Sequence, residues 1–211
     1  MTLVAFDFDG TLSDSEMTVL LGEQAGVAAE IAAITDAAMA GELSYAASLR
    51  ERVQLLSGLS TVAMEAAFAQ VRLHPGAGAL LGRLRAAGVP VVILTGGFER
   101  GVDAALAAAD AAVDAVVANR LVVADGSLTG GVTGPLIAGT KDTALAEVCA
   151  RWGTSPADAV AVGDGANDLP MLEAAGTAIG YDPKPVVAGA ADHIVHDMDE
   201  LGALLAARGL W

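Results

Sequence analysis

An apolar run near the start of the chain ends in two aspartates: Leu3-Val4-Ala5-Phe6-Asp7-Phe8-Asp9-Gly10-Thr11-Leu12. Its successive apolar residues predict a buried strand over 3–6. Because side chains two apart on an extended chain point the same way, Asp7 and Asp9 are expected to project into one pocket. Carboxylates at the end of a buried strand need a cation or a proton to offset their charge. The stretch therefore predicts a cation site.

A second acidic loop occurs much later in the chain and reads Gly163-Asp164-Gly165-Ala166-Asn167-Asp168. It follows another apolar run, over 159–162, so it also lies at a predicted strand end. Either loop alone could do no more than cap a turn, but two such loops favour one shared site. Ligands that are all oxygen select a hard cation, and Mg²⁺ is the natural choice over zinc.

The pattern around these loops predicts an α/β fold. Apolar runs predict further strands at 89–94, 115–118 and 193–195, and helices are predicted between the strands at 78–87, 100–109, 141–152 and 169–175. This alternation is typical of a doubly wound parallel sheet, a Rossmann-like core with helices on both faces. In that architecture functional residues gather at the carboxyl ends of strands, where Asp7, Thr95 and Asp164 stand.

Residues 15–72 break the alternation, since they offer helical patterns and no clear strand. We predict an inserted α-helical domain over 15–72 and a core formed by 1–14 and 73–211. Ser44 and Ser60 are plausible N-caps of helices in this insert. In the core, Asp125-Gly126 stands between two β-prone runs, which predicts a small β-hairpin.

The composition excludes several classes of protein. A net charge of −15, from 26 acidic and 11 basic residues, argues against nucleic-acid binding, which needs a basic surface. No apolar run approaches the roughly 18 to 20 residues of a membrane span, and Asp7 and Asp9 interrupt any signal-peptide pattern. We expect a cytoplasmic protein with neither nucleic acid nor membrane as partner. The excess of acidic over basic residues resembles the composition of salt-adapted proteins, whose carboxylates repel one another less in high salt.

Two further features predict an anion site. Thr95-Gly96-Gly97 lies between a predicted strand and a predicted helix, so that a hydroxyl and free backbone N–H groups would face outward, although such a sequence is also an ordinary turn. Lys141 is one of only two lysines in the chain. A phosphate approaches an acidic pocket only with a metal and a cation present. One carboxylate can then attack phosphorus while another delivers a proton to the leaving oxygen.

With these motifs in this order, the chain resembles the haloacid dehalogenase superfamily of phosphotransferases, and within it the phosphoserine phosphatase family. Residues 7–11 resemble the first motif of the superfamily, residues 95–98 the second, Lys141 the third and residues 163–168 the fourth. The resemblance spans nearly the whole chain. It implies a Rossmann-like core with a helical cap over 15–72, and the last step of serine biosynthesis as the activity.

The resemblance also implies roles for individual residues. Asp7 would be the nucleophile that forms an aspartyl-phosphate, and Asp9 would protonate the leaving alcohol and later activate water. Thr95, Gly96 and Lys141 would hold the phosphate.

The same resemblance implies a metal site. Mg²⁺ would be bound by the carboxylate of Asp7, the backbone carbonyl of Asp9 and Asp164. Asp168 would support these ligands, and Asn167 would line the substrate site.

The resemblance also predicts the substrate, through two charged residues of the cap. Glu16 matches the family position that receives the ammonium of phosphoserine, and Arg52 the one that binds its carboxylate. Either residue alone would more often be a surface charge, but the adjoining pattern over 39–43 and Tyr45 also resembles the family. Tyr45 departs from it in detail, because phenylalanine is frequent there, and could reshape the pocket.

Two alternatives stay open at this point. A sister enzyme could act on another small phosphomonoester with the same core. A phospho-accepting receiver-like signalling domain also combines clustered acids, a threonine and a lysine. Against the receiver stand the same-face pair Asp7 and Asp9 and the large insert after the first strand.

Overall fold

The computed structural model describes residues 2–39 and 42–211, apart from the side chains of Met39 and Ala138. Ala40 and Gly41, which belong to the cap pattern over 39–43, lie outside the described residues. Within the described ranges, no helix combines the length and the apolarity needed to cross a membrane.

The core is a mostly parallel sheet, as predicted. Its strands are β1 (Val4–Phe6), β2 (Val91–Phe98), β3 (Ala115–Ala124), β4 (Ser127–Thr133), β5 (Val160–Gly163), β6 (Thr177–Tyr181) and β7 (His193–Val195). Their order is β4-β3-β2-β1-β5-β6-β7, and only the β3–β4 pair is antiparallel. Val4 of β1 pairs with Val91 of β2 on one side and Val160 of β5 on the other. The carboxyl ends of these three strands therefore meet at one edge.

Helices cover both faces of the sheet and form the insert. In the insert they are α1 (Met17–Ala25), α2 (Ala28–Met39), α3 (Tyr45–Leu55) and α4 (Thr61–Phe68). In the core they are α5 (Ala77–Ala86), α6 (Glu99–Ala108), α7 (Pro135–Ala138), α8 (Lys141–Arg151), α9 (Leu169–Ala174), α10 (Pro185–Ala188) and α11 (Met198–Ala207).

The strand period of two divides the core into two layers. Val4 and Phe6 face one apolar cluster, while Leu3 and Ala5 face the other. The first cluster continues into the cap, for example to Leu49 of α3, so the cap and one face of the sheet share buried surface. Burying one such side chain contributes about 1.5–3 kcal/mol.

The cap helices begin where their N-caps predict. The Ser44 hydroxyl accepts a hydrogen bond from Ala47 N at the start of α3, and the Ser60 hydroxyl accepts one from Ala63 N at the start of α4. The two chain crossings between cap and core lie side by side, since His74 N donates to the carbonyl of Leu12. The domain bounds at 14/15 and 72/73 stay a proposal.

The predicted hairpin is present and supports the cap. Asp125 and Gly126 both have positive φ, at 49° and 76°, as a type I′ turn requires. Gly58 N, in the link between α3 and α4, donates to the carbonyl of Leu128 on β4, and Leu128 N donates back to Leu59 O, each at 2.8 Å. The link thereby covers part of the edge that β4 would otherwise expose.

Three parts of the sheet differ from the predictions. Strand β3, predicted over 115–118, continues without a break to Ala124 in the hairpin. Strand β6 was not predicted, because Thr177-Ala178-Ile179-Gly180-Tyr181 is neither a long apolar run nor an alternating one. Strand β2 was expected to end at Leu94, but it continues to Phe98 through a bulge: Leu94 pairs with Val117, and the next pair is Phe98 with Asn119.

Candidate active site

A cavity of about 580 Å³ opens between the cap and the carboxyl ends of β1, β2 and β5. Most of the residues that the sequence singled out line it, from the core and from the cap: Asp7, Asp9, Glu16, Arg52, Thr95, Gly96, Asp164 and Asn167. Lys141 and Asp168 are buried and join the site through their contacts with Asp7 and the loop after β5. All ten candidates thus belong to one region, as the strand order allows.

Three buried carboxylates meet at its floor. Asp7, Asp164 and Asp168 each bring an oxygen within 4.8 Å of the others. Lys141 Nζ donates to Asp7 Oδ1 and to Asp168 Oδ1, both at 2.5 Å. The second oxygen of Asp168 accepts from the backbone N–H groups of Asp164 at 3.0 Å and Gly165 at 2.9 Å. Asp168 therefore holds both the lysine and the acidic loop in place.

Gly10 makes this packing possible. Its φ is +82°, and a Cβ there would lie 2.9 Å from the Asp164 carboxyl group. Any larger residue would strain the turn and press on Asp164.

The cluster carries more negative charge than Lys141 offsets. Burial and the charge of Asp168 raise the pKa of Asp7 to about 8, against the opposing effect of Lys141. Burial and Asp168 also raise the pKa of Asp164. The pKa of Lys141 is raised too, because Asp168 and Asp7 outweigh the burial that would lower it. Buried oxygen ligands with an excess of negative charge suit a divalent cation.

Asp9 lies in the same cavity but in a different setting. Its Oδ1 atom is buried and has no hydrogen-bond partner among the described residues. Burial, followed by the charges of Glu16 and Asp7, raises its pKa well above the usual range. The Asp9 carboxyl group is therefore suited to hold and release a proton.

The β2 bulge forms the wall beside these acids. Thr95 Oγ1 accepts from Gly97 N at 2.9 Å, and Phe98 N donates to the sulfur of Met17 in the cap. The expectation that the Gly97 N–H is free was therefore wrong, because the bulge turns it back onto the Thr95 hydroxyl. Thr95 and Gly96 still line the cavity.

The cap contributes the opposite wall. Arg52 Nη1 donates to the hydroxyl of Thr18 at 3.2 Å, and its Nε donates to the carbonyl of Ser48. Within the part of the chain that the structure describes, Arg52 has no carboxylate partner at ion-pair distance. Glu16 precedes α1, and burial and Asp164 raise its pKa against the charges of Lys184 and Arg52.

Comparisons with known proteins agree with this geometry. The model of the haloacid dehalogenase-like hydrolases matches residues 4–173. A phosphoserine phosphatase of Halobacterium salinarum is 61% identical over 210 residues, covering both chains completely. The chain belongs to the phosphoserine phosphatase family of haloacid dehalogenase-like hydrolases.

Solved structures of this family have the same fold. A substrate-bound phosphoserine phosphatase complex superposes with a TM-score of 0.89 at 35% identity, over 96% of this chain and 97% of the other. A phospho-aspartyl intermediate analogue of phosphoserine phosphatase gives 0.87 at 36% identity, with the same coverage of both chains. The sheet and the helical cap of this phosphoserine phosphatase family member are thus those of its relatives.

The sequence analysis missed several residues of the site, among them Lys184 and Asn119. Lys184 Nζ lies 3.1 Å from Asp164 Oδ2, and Lys184 N donates to Asp164 O at 2.9 Å. The scarcity of lysine was the one available signal, since both lysines of the chain reach this site. Asn119 on β3 is fully buried and its Nδ2 donates to Gly96 O at 2.9 Å. Nothing in the sequence distinguished this asparagine.

Proposed function

We propose that the chain is a metal-dependent phosphatase that hydrolyses O-phospho-L-serine to L-serine and phosphate through an aspartyl-phosphate on Asp7. One observation carries this function. A single cavity joins the acid and lysine cluster of the core to Glu16 and Arg52 of the cap. The cluster of acids and lysine can act on a phosphate, and Glu16 and Arg52 complement the ammonium and carboxylate of an amino acid.

The metal that we propose is Mg²⁺. The clustered oxygens of Asp7, Asp164 and Asp168, with the raised pKa of Asp7, fit a hard divalent cation. Asp7, Asp164 and the backbone carbonyl of Asp9 would hold it, with Asp168 in support. When bound, it would offset the charge of the carboxylates and of the phosphate.

In the first step the Asp7 carboxylate attacks phosphorus. The new bond between Asp7 and phosphorus forms as the bond from phosphorus to the serine oxygen breaks. The Asp9 carboxyl group gives its proton to that oxygen, and serine leaves with a neutral hydroxyl group. Lys141, which already donates to Asp7, holds the nucleophile in position and offsets charge beside the phosphate.

In the second step Asp9 acts as the base. The Asp9 carboxylate takes a proton from a water molecule that attacks the phosphorus of the aspartyl-phosphate. The bond between Asp7 and phosphorus breaks, phosphate is released, and both aspartates return to their first state. The buried, unpartnered Oδ1 of Asp9 supports this exchange of a proton.

The test is phosphate release from a panel of phosphomonoesters with and without Mg²⁺. O-phospho-L-serine should give the highest kcat/KM, and a chelator should abolish turnover. Asp7→Asn should fold normally and show no turnover, because an amide cannot attack phosphorus. Full activity in that variant would contradict the nucleophile, while a different best substrate would favour the alternative of another phosphomonoester.

The receiver-like alternative loses its support, because the family match covers the core motifs and the cap. A cytoplasmic location stays a prediction from the sequence.

A further inference from the structure

The side of α3 that faces the cavity carries two hydroxyl groups without a role in the mechanism above. Tyr45, Ser48 and Arg52 follow one another at spacings of three and four, so they lie on one face of the helix, and all three line the cavity. Ser48 Oγ is buried and has no hydrogen-bond partner among the described residues. The Tyr45 hydroxyl likewise makes no hydrogen bond within those residues.

The Tyr45 side chain reaches from the cap to the bulge of β2. A Cβ placed on Gly96 would lie 1.7 Å from the Tyr45 hydroxyl oxygen and 2.6 Å from the ring carbon that bears it. The hydroxyl therefore occupies the space over Gly96 that a side chain would otherwise take. Gly96 is a proposed phosphate-binding residue, so this unpartnered group lies at the phosphate end of the cavity.

The surroundings of Tyr45 keep its hydroxyl group protonated. Although 36% of the residue is exposed, burial of the hydroxyl is the main cause that raises its pKa to about 12. Lys141 and Arg52 oppose this rise, while Asp7 and Asp9 add to it. The charges of the core residues and of Arg52 in the cap thus both act on the Tyr45 hydroxyl. The hydroxyl remains a hydrogen-bond donor at neutral pH.

We propose that the Tyr45 hydroxyl donates a hydrogen bond to the phosphoryl group of the substrate, as a phosphate-binding residue contributed by the cap. This inference rests on the proposed function, because it assumes that the phosphate lies against Thr95 and Gly96. A phosphoryl oxygen bound beside Gly96 would accept a hydrogen bond from the Tyr45 hydroxyl. Arg52, two turns further along the same face, would then meet the amino-acid end of the ligand.

The first test is Tyr45→Phe, which removes the hydroxyl and keeps the ring. Hydrogen bonds to charged groups contribute enough that we expect kcat/KM for phosphoserine to fall about 10- to 100-fold. Tyr181→Phe is the matched control, since Tyr181 is the only other tyrosine and its ring packs at a tilt against His74, with ring centroids 5.2 Å apart. It should keep the wild-type rate. A Tyr45→Phe variant as active as wild type would overturn the inference.

The second test measures binding rather than turnover. Calorimetric titration with inorganic phosphate in the presence of Mg²⁺ should show weaker binding to Tyr45→Phe, by about the same factor as the loss of kcat/KM. Binding of L-serine should be unchanged. Weaker serine binding with unchanged phosphate binding would place the hydroxyl at the amino-acid end and refute the proposal. If the wild type does not hydrolyse phosphoserine, the proposed function fails; if only the two Tyr45 effects are missing, this inference alone fails.

Discussion

Lys141 Nζ lies 2.5 Å from Asp168 Oδ1, and the two side chains are buried, at 4% and 0% exposed. The same nitrogen contacts Asp7, so a single cation stabilises two buried carboxylates. Removing one partner of a buried ion pair is more costly than removing both, because an uncompensated charge remains. The role of Lys141 in stability can therefore be separated from its role at the phosphate.

We expect Lys141→Met to lower the free energy of unfolding by about 3–5 kcal/mol, because Asp168 and Asp7 lose their cation. The double variant Lys141→Met, Asp168→Asn should recover part of this loss, because it also removes the Asp168 charge that the single variant leaves without a cation. Urea unfolding at neutral pH in the presence of a chelator measures both. A single variant as stable as wild type would show that the pair contributes nothing to the fold.

Arg52 offers a test of substrate recognition. Arg52→Ala should lower kcat/KM for phosphoserine by about 10- to 100-fold, because a charge-assisted hydrogen bond to the carboxylate is lost. Hydrolysis of an aryl phosphate, which has no carboxylate, should change little. Arg50→Ala on the exposed side of α3 is the matched control and should leave both rates unchanged. Equal losses on the two substrates would refute the carboxylate role.

Lys184 is expected to compete with the metal. Its ammonium lies 3.1 Å from Asp164 Oδ2, and the lysine side chain is 46% exposed. Because half-exposed pairs contribute at most about 1 kcal/mol, Lys184→Met should strengthen Mg²⁺ binding by about two- to fivefold. The dependence of the unfolding midpoint on Mg²⁺ concentration reports this affinity without any turnover.

The control for Lys184 is Arg151→Met, which makes the same change in net charge at the opposite end of α8 from Lys141. It should leave Mg²⁺ binding as in the wild type. Weaker binding in Lys184→Met would mean that the lysine supports the metal site instead of competing with it.

The sequence predicted the features that local chemistry determines. Apolar runs indicated β1 and β5, N-cap hydroxyls indicated the starts of α3 and α4, and Asp125-Gly126 indicated the hairpin turn. The convergence of Asp7, Thr95 and Asp164 followed from the rule that parallel strands present their carboxyl ends at one edge.

What the sequence could not predict depends on contacts between distant segments. Strand β6 exists because β5 and β7 pair with it, although its own residues have no clear period. The bulge in β2 depends on the register with β3, and no local signal encodes register. Asn119 and Lys184 acquire their roles through bonds to Gly96 and Asp164, which become visible only once the chain is folded.

The acidic surface predicts that salt stabilises the fold. With 26 acidic and 11 basic residues, repulsion among carboxylates should outweigh the few surface ion pairs, such as Arg100–Glu65. The Debye length falls from about 30 Å at 0.01 M to about 3 Å at 1 M salt, so the unfolding midpoint should rise over that range of KCl.

Replacing exposed glutamates should reproduce the effect of salt. Glu23, Glu51 and Glu173 are exposed on three different helices, and their joint change to glutamine removes three negative charges without touching the cavity. This variant should be more stable than wild type in 0.01 M KCl, because fewer charges repel, and should gain less from added salt. Thermal unfolding of both proteins across a KCl series measures how steeply the unfolding midpoint of each rises with salt concentration. A wild type that is equally stable at low and molar KCl would show that repulsion among its carboxylates does not limit its stability.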